Sequence, residues 1–298
     1  MKSKSFLYVS LAVDFLIAVS KFVAAAFTGS SSMIAEGIHS VIDALSQVLL
    51  LWGIKKSKRQ PDADRPYGYG RELYFWSFVV SLVIFIVGGC ISFYQGLLRF
   101  EHPVPPDHEN WDYAVLAIAF VFTSVSMFTA QKAFNKQREG ASFWKAIRQS
   151  KDPSTFIVLL GDIADMMGLF IAFCGVYFGH RFHNGSYDGV ASMLIGIILI
   201  AISLVLVNES KSLLMGETTS KKTISIIVAM AESDPAVIKV KKNFSMYLAP
   251  DEVILQLNTV FKDDLTTHQI IDAIERISKA IRLRFPRVRQ IVIEPVAD

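Results

Sequence analysis

Charge is scarce in this chain of 298 residues, because Asp, Glu, Lys and Arg make up only 19% of it while 52% is hydrophobic. The mean hydropathy of +0.40 is too high for an ordinary soluble domain and indicates an integral membrane protein. The net charge of +3 is small, and its cations are scattered among loops rather than gathered into a basic stripe. We therefore expect no nucleic-acid partner.

Cysteine is also rare. Cys90 and Cys174 each lie inside an apolar run, so the chain has neither a disulfide framework nor a cysteine-rich metal site. The sequence contains no nucleophile elbow, phosphate-binding loop or HExxH pattern. We expect a protein that is not an enzyme and that carries no resident cofactor.

Long apolar runs dominate the first two thirds of the chain. A helix needs about 20 mainly apolar residues to cross the hydrocarbon core of a bilayer, and six stretches qualify. The predicted spans are roughly Phe6–Thr28, Ser32–Ile54, Tyr74–Leu98, Tyr113–Ala133, Thr155–Phe178 and Val190–Val207. Lys and Arg collect in the loops after the second and fourth spans, which puts both termini in the cytoplasm. We expect a multi-pass protein of a bacterial inner (plasma) membrane.

After about Met215 the sequence has the character of a soluble domain. Helical periodicity and strand alternation predict, in order, a helix over Thr218–Val240, strands over Asn243–Ala249 and Glu252–Phe261, a helix over Thr266–Phe285 and a strand over Gln290–Val296. This α-β-β-α-β order predicts a small α+β, ferredoxin-like domain whose helices cover one face of an antiparallel sheet. The predicted domains are 1–213 in the membrane and 214–298 in the cytoplasm.

Ionisable residues occur where a membrane helix should have none. His39 and Asp43 lie in the second span, and Asp162 and Asp165 lie in the fifth. Each costs about 2.5–3.5 kcal/mol at bilayer depth, so their presence indicates a function. Spacings of four and three residues place each pair on one face of its helix.

These four residues, His39, Asp43, Asp162 and Asp165, are the predicted metal ligands. One imidazole nitrogen and several carboxylate oxygens suit tetrahedral Zn²⁺ and also Mn²⁺ or Fe²⁺, but not Cu⁺, which prefers sulfur. The alternative is that they pair with one another, or with Lys21, to hold helices together. A histidine with a pKa near 6.5 must release its proton when metal binds. Metal and proton then compete for one site, as antiport requires.

Three motifs point to a family. Thr28-Gly29-Ser30 leads into Ala35–Asp43, the segment Arg65–Glu72 reads RPYGYGRE before the third span, and Asp152-Pro-Ser-Thr leads into the fifth. Taken together they resemble the cation diffusion facilitator family, in particular its zinc-transporter-like members. The resemblance covers almost the whole chain. It implies a homodimeric exporter of divalent metal driven by proton entry, with two ligands on the second span and two on the fifth.

The resemblance assigns His39 and Asp43 to the second-span pair and Asp165 to the second ligand of the fifth span. The first ligand of the fifth span falls on Gly161, which has no ligating side chain. Either Asp162, displaced by about 100° around the helix, replaces it, or the site uses three protein ligands and water. The alternative function is a non-transporting scaffold or metal sensor with a degenerate site.

The resemblance also implies that the cytoplasmic domain joins two copies of the chain. Members with metal-sensing tails place several His and Asp residues there, whereas this tail has a single histidine, His268. We expect a dimerisation domain without bound metal.

Overall fold

The computed structural model describes residues 5–28, 31–103, 109–137, 142–143, 146–147 and 150–297, and within some helices it leaves out side chains, including all those from 31 to 39. The described chain forms two compact units. The first consists of Met1–Lys56 with Glu72–Lys211, and the second of Ser57–Arg71 with Ser212–Asp298. The predicted division after residue 213 stays a prediction.

Helices make up most of the described part of the first unit. They are α1 (Ser5–Thr28), α2 (Ser31–Ser57), α3 (Glu72–Val83), α4 (Ser92–Glu101), α5 (Glu109–Gln137), α6 (Pro153–Phe182) and α7 (Ser186–Met215). A π-helical segment, Ile84–Ile91, connects α3 to α4, so that Glu72–Glu101 continues as 30 helical residues.

Within the described ranges, four helices are long and apolar enough to cross a membrane. They are Glu72–Glu101, Leu116–Asn135, Pro153–Phe182 and Ser186–Met215. The first two predicted spans coincide with α1 and α2, which contain 24 and 27 residues. The fold class predicted from the sequence, a helical membrane protein with a small α+β domain, is confirmed.

Local sequence explains where several of these helices begin and end. Pro153 is the first residue of α6, where its missing N–H costs no hydrogen bond, and it follows Asp152 in extended backbone. Lys55 and Lys56 lie in the last turn of α2, where positive charge interacts favourably with the helix dipole.

Glycines bring α4 and α7 into backbone contact. A Cβ added at Gly96 would lie 2.5 Å from the Met193 nitrogen, and one added at Gly196 would lie 2.6 Å from the Phe93 nitrogen. Small residues permit this close approach between helices in a membrane, where van der Waals packing replaces the hydrophobic effect. Elsewhere in the unit, α5 packs against both α6 and α1.

The second unit contains a three-stranded sheet. Its elements are α8 (Lys221–Glu232), β1 (Val237–Ala249), β2 (Glu252–Phe261), α9 (Thr267–Arg284) and β3 (Val288–Pro295). The strands lie in the order β1-β2-β3. Ile227, Leu255 and Ile281 are fully buried in its core. The predicted order α-β-β-α-β is confirmed.

Two details of this domain were predicted wrongly. The sheet is mixed, because β1 pairs with β2 antiparallel but β2 pairs with β3 parallel; α9 carries the chain back to the end of the sheet at which β2 began. The first helix ends at Glu232, since the following Ser-Asp-Pro interrupts it at Pro235, and Val237–Val240 belongs to β1.

The loop Ser57–Arg71 is held together around one tyrosine. The Tyr69 hydroxyl donates to Asp62 Oδ2 at 2.6 Å, and the guanidinium groups of Arg59 and Arg65 lie 4.9 and 5.1 Å from the ring centroid. The Tyr69 hydrogen bond lowers the pKa of Asp62. The loop therefore has a defined structure of its own within the second unit.

Candidate metal site

Asp162 is the most deeply buried of the predicted ligands that the structure describes. Asp162 is 5% exposed and lies in the first half of α6, two residues after the apolar run Phe156–Leu160. Ser126 of α5 is 1% exposed, and its Oγ lies 3.0 Å from both Oδ1 and Oδ2 of Asp162. The packing of α5 on α6 thus gives this buried carboxylate a hydroxyl donor.

Two further carboxylates belong to the same cluster. Asp165 of α6 and Asp43 of α2 lie close enough to Asp162 for their charges to act on it, and both residues are half-buried. Three carboxylates from two helices therefore share one region of the first unit. We call Asp43, Asp162 and Asp165 the carboxylate cluster.

Burial of Asp162, followed by mutual repulsion among the carboxylates, is the main electrostatic feature of this cluster. Like charges in a region of low dielectric constant cannot all remain ionised without a compensating cation or proton. A divalent cation supplies two positive charges at once, and carboxylate oxygens are ligands for several such ions. The arrangement is therefore suited chemically to exchange a metal ion for protons.

His39 belongs to α2, one helical turn before Asp43, and its side chain lies outside the described residues. Among the described side chains, no three His, Cys, Asp or Glu residues form a ready-made metal site. The structure thus brings together three of the four predicted ligands as a charge cluster. Their role in binding metal stays a prediction.

Gly161 occupies the position where the resemblance places a fourth ligand. A Cβ added there would meet nothing within 4 Å in the described part of the protein. Close helix packing therefore does not explain this glycine, in contrast to Gly96 and Gly196.

Ser126 is the residue that sequence reasoning missed. Charge inside an apolar span is what identifies a candidate ligand in the sequence, and a serine hydroxyl carries no charge. The sequence feature that could have identified it is the group of three hydroxyl residues in Thr123-Ser124-Val125-Ser126, inside an otherwise apolar span. Ser124 makes no hydrogen bond to Asp162; its Oγ lies 2.6 Å from the Phe120 carbonyl oxygen of its own helix and 3.8 Å from Met166 Sδ of α6.

Comparisons with known proteins match this architecture. The family described as the cation efflux transmembrane domain matches residues 7–215. A Xenopus laevis protein named "Proton-coupled zinc antiporter SLC30A9, mitochondrial" is 30% identical over 96% of this chain and 58% of its own length. "Metal tolerance protein C4" of Arabidopsis thaliana is 28% identical over 81% of the chain and 52% of that protein.

A shorter relative matches from end to end. "Manganese efflux system protein MneP" of Bacillus subtilis is 21% identical over 98% of this chain and 95% of that protein. The chain spans little more than half the length of the frog and Arabidopsis relatives.

Proposed function

Because the chain belongs to the cation efflux family of metal transporters, also called cation diffusion facilitators, we propose that it exports divalent transition-metal cations from the cytoplasm in exchange for protons. The observation that carries this proposal is the carboxylate cluster, which joins α2 and α6 inside the domain that matches the family. Transport follows an alternating-access cycle in which the cluster faces each side of the membrane in turn.

Zn²⁺ is the proposed main substrate. His39 and the carboxylate cluster would supply one nitrogen and several oxygens, a donor set that zinc accepts in tetrahedral geometry. Mn²⁺, Fe²⁺ and Co²⁺ accept similar donors. The names of two relatives, a zinc antiporter and a manganese efflux protein, support this range of metals.

Proton exchange follows from the repulsion within the cluster. Metal ligands must be deprotonated to bind, and the carboxylates lose their compensating charge when the metal leaves. Protons entering from the other side of the membrane then neutralise the cluster and prevent the metal from rebinding. The same groups thus hold either the cation or the protons.

Ser126 is proposed as a positioning residue. Its hydroxyl fixes the orientation of Asp162 through the hydrogen bonds described above, as outer-shell groups do for metal ligands in general. With this support Asp162 replaces the ligand that Gly161 cannot provide.

We further propose a homodimer joined through the second unit, in a bacterial inner membrane with both termini in the cytoplasm. The cationic loops after α2 and α5 support this topology. The match to nearly the full length of a Bacillus protein supports a bacterial membrane, whereas the longer frog relative is named as mitochondrial.

Equilibrium zinc binding to the purified protein tests the proposal. Asp43→Asn and Asp165→Asn should each weaken Zn²⁺ binding by at least about 100-fold, beyond the roughly 10–100-fold cost of losing an outer-shell partner. Asp263→Asn removes an exposed carboxylate of the second unit and serves as the control. Wild-type affinity in both cluster variants would refute the proposed site.

A further inference from the structure

The end of the second unit carries a dense group of arginines. The segment Arg282–Arg289 reads RLRFPRVR and contains four arginines and no acidic residue. All four arginine side chains are exposed, and Leu283 between the first two is 76% exposed. We call Arg282, Arg284, Arg287, Arg289 and Leu283 the arginine end.

The protein does little to neutralise this charge. Arg287 Nε lies 3.7 Å from Asp251 Oδ1, with the two side chains 66% and 76% exposed, so solvent weakens the pair. The other three arginines form no ion pair with any side chain that the structure describes. The arginine end therefore presents largely uncompensated positive charge to its surroundings.

The sheet register fixes where the arginine end lies within its unit. The Arg287 carbonyl accepts a hydrogen bond from the Val253 amide at 2.8 Å, and Val253 pairs with both Tyr247 and Val288. The arginine end is therefore at the end of the sheet where β1 finishes and β2 and β3 begin.

The same end of the sheet receives the chain from the membrane helices. Arg71, the residue before α3, places its Nη2 2.8 Å from Met246 Sδ, and a Cβ added at Gly70 would lie 2.6 Å from the Leu248 carbonyl oxygen. Glu217, two residues after α7, accepts a hydrogen bond from the Tyr247 amide at 3.0 Å. Both connections to the membrane helices thus contact the last residues of β1.

We propose that the arginine end binds the headgroup phosphates of anionic lipids in the leaflet nearest this unit. In the sequence, Arg71 immediately precedes α3 and Glu217 follows the last residue of α7 by two positions, so the chain connects to two membrane helices from this end of the unit. Guanidinium groups bind phosphate oxygens through paired hydrogen bonds, and clustered basic residues next to a membrane are attracted to anionic lipid.

The exposure of Leu283 favours a lipid surface over a soluble phosphate as the partner of the arginine end. An apolar side chain flanked by arginines gains by entering the boundary between headgroups and acyl chains, as in interfacial helices, whereas free phosphate offers it nothing. The proposed partner is therefore the bilayer surface itself, contacted by four cations around one apolar side chain.

Depth-dependent quenching in lipid nanodiscs tests this proposal. Leu283→Cys is introduced into the whole chain together with Cys90→Ser and Cys174→Ser. The cysteine introduced at position 283 is then labelled with an environment-sensitive dye. Nanodiscs contain phosphatidylcholine alone or mixed with phosphatidylglycerol, and a trace of lipid carrying a nitroxide quencher. We expect at least about twofold more quenching in the anionic discs, with the increase abolished by high salt because the attraction is screened.

Two variants that each lose four positive charges distinguish an effect of the arginine end from an effect of the net charge of the protein. Changing Arg282, Arg284, Arg287 and Arg289 to Gln should abolish the increase, whereas changing the exposed Lys221, Lys222, Lys239 and Lys242 to Gln should preserve it. Equal quenching in both kinds of disc, or equal loss in both variants, would overturn the proposal. Shielding of the label from both the lipid quencher and soluble iodide would also overturn the proposal, because a second protein surface would then cover position 283.

Discussion

At the scale of single residues, the candidate site depends on one buried hydrogen bond that crosses between helices. Without Ser126, the buried Asp162 carboxylate would lose its hydrogen-bond donor, and burying such a group without a donor is costly. The carboxylate is therefore held in one orientation before any metal arrives. This preorganisation supports the proposal that Asp162 replaces the ligand absent at Gly161.

Ser126→Ala removes that hydrogen bond while leaving the carboxylate in place. We expect zinc affinity to fall about tenfold, within the range for outer-shell partners, with the helical content unchanged. Zinc titration of the purified variant measures the change. Ser124→Ala is the matched control, since the Ser124 hydroxyl bonds to a carbonyl of its own helix and to Met166 Sδ but not to Asp162. An equal loss in both variants would assign the effect to the packing of α5 on α6 instead.

Gly161→Ala tests why this position is a glycine. The added methyl group meets nothing within 4 Å among described atoms, and alanine favours the helix by about 0.5–1 kcal/mol. We expect a slightly higher midpoint of thermal unfolding and unchanged zinc affinity. A marked loss of affinity would mean that the space beside Gly161 is itself required for the metal.

At the scale of secondary-structure elements, two kinds of contact stabilise the two units. Backbone approach through glycines joins α4 to α7 in the membrane, whereas a buried core and a capped α9 stabilise the second unit. The Thr266 side chain and Gln269 form a reciprocal capping box at the start of α9. Each kind of contact can be tested by a substitution paired with a control in the same element or next to it.

Gly96→Ala should destabilise the first unit, because its Cβ would lie 2.5 Å from the Met193 nitrogen and 2.8 Å from the Gly189 carbonyl oxygen. The cost of such overpacking is about 1–3 kcal/mol, measured as a lower midpoint of thermal unfolding in detergent. Gly88→Ala is the control, since its nearest atoms are 3.7 Å away. Equal midpoints for the two variants would contradict the proposed close packing.

Asp234 and Arg276 connect the turn after α8 to α9, through two hydrogen bonds of 3.0 and 3.1 Å. Burial raises the pKa of Asp234, but the Arg276 hydrogen bond, the Ala236 amide and the guanidinium charge outweigh it, and the net pKa is lowered from 3.8. The pair therefore stabilises the folded protein above pH 3.8, and this contribution is lost as the pH falls through the lowered pKa.

Arg276→Gln should consequently lower the midpoint of thermal unfolding at pH 7, and the difference from the wild type should shrink in strong acid. His268→Gln is the control on the same helix, because its pair with Asp272 is 3.8 Å long with side chains 86% and 54% exposed. A pH-independent difference for Arg276→Gln would show that the lost stability comes from packing rather than charge.

At the scale of the whole molecule, the sequence predicted the class of the long helices and of the β2 and β3 strands that the structure describes. Runs of about 20 apolar residues have few alternatives to a membrane helix, and alternation identified the hairpin of the second unit. Prediction from the sequence failed where contacts between distant parts of the chain determine the structure. Nothing local to Gln290–Val296 says whether β3 joins β2 parallel or antiparallel, and periodicity alone extended the first helix past Pro235.

The candidate site could also be predicted only in part, because the sequence does not show which helices pack together. Charge in an apolar span is visible in the sequence, so the members of the carboxylate cluster could be predicted. A serine in an apolar span is not distinctive, because its hydroxyl can bond to its own helix, as Ser124 does. Only the packing of α5 on α6 distinguishes Ser126, and helix neighbours in a membrane bundle cannot be derived from hydropathy.

Metal flux in proteoliposomes tests the central claim most directly. Zinc entry and internal pH are recorded together, for the wild type and for Asp43→Asn, with an imposed proton gradient. The proposal predicts that zinc moves only with opposite proton movement in the wild type, that Mn²⁺, Fe²⁺ or Co²⁺ competes with it, and that Asp43→Asn abolishes both fluxes. Zinc movement without proton exchange would contradict antiport, and no flux from a well-folded wild type would favour a scaffold or metal sensor.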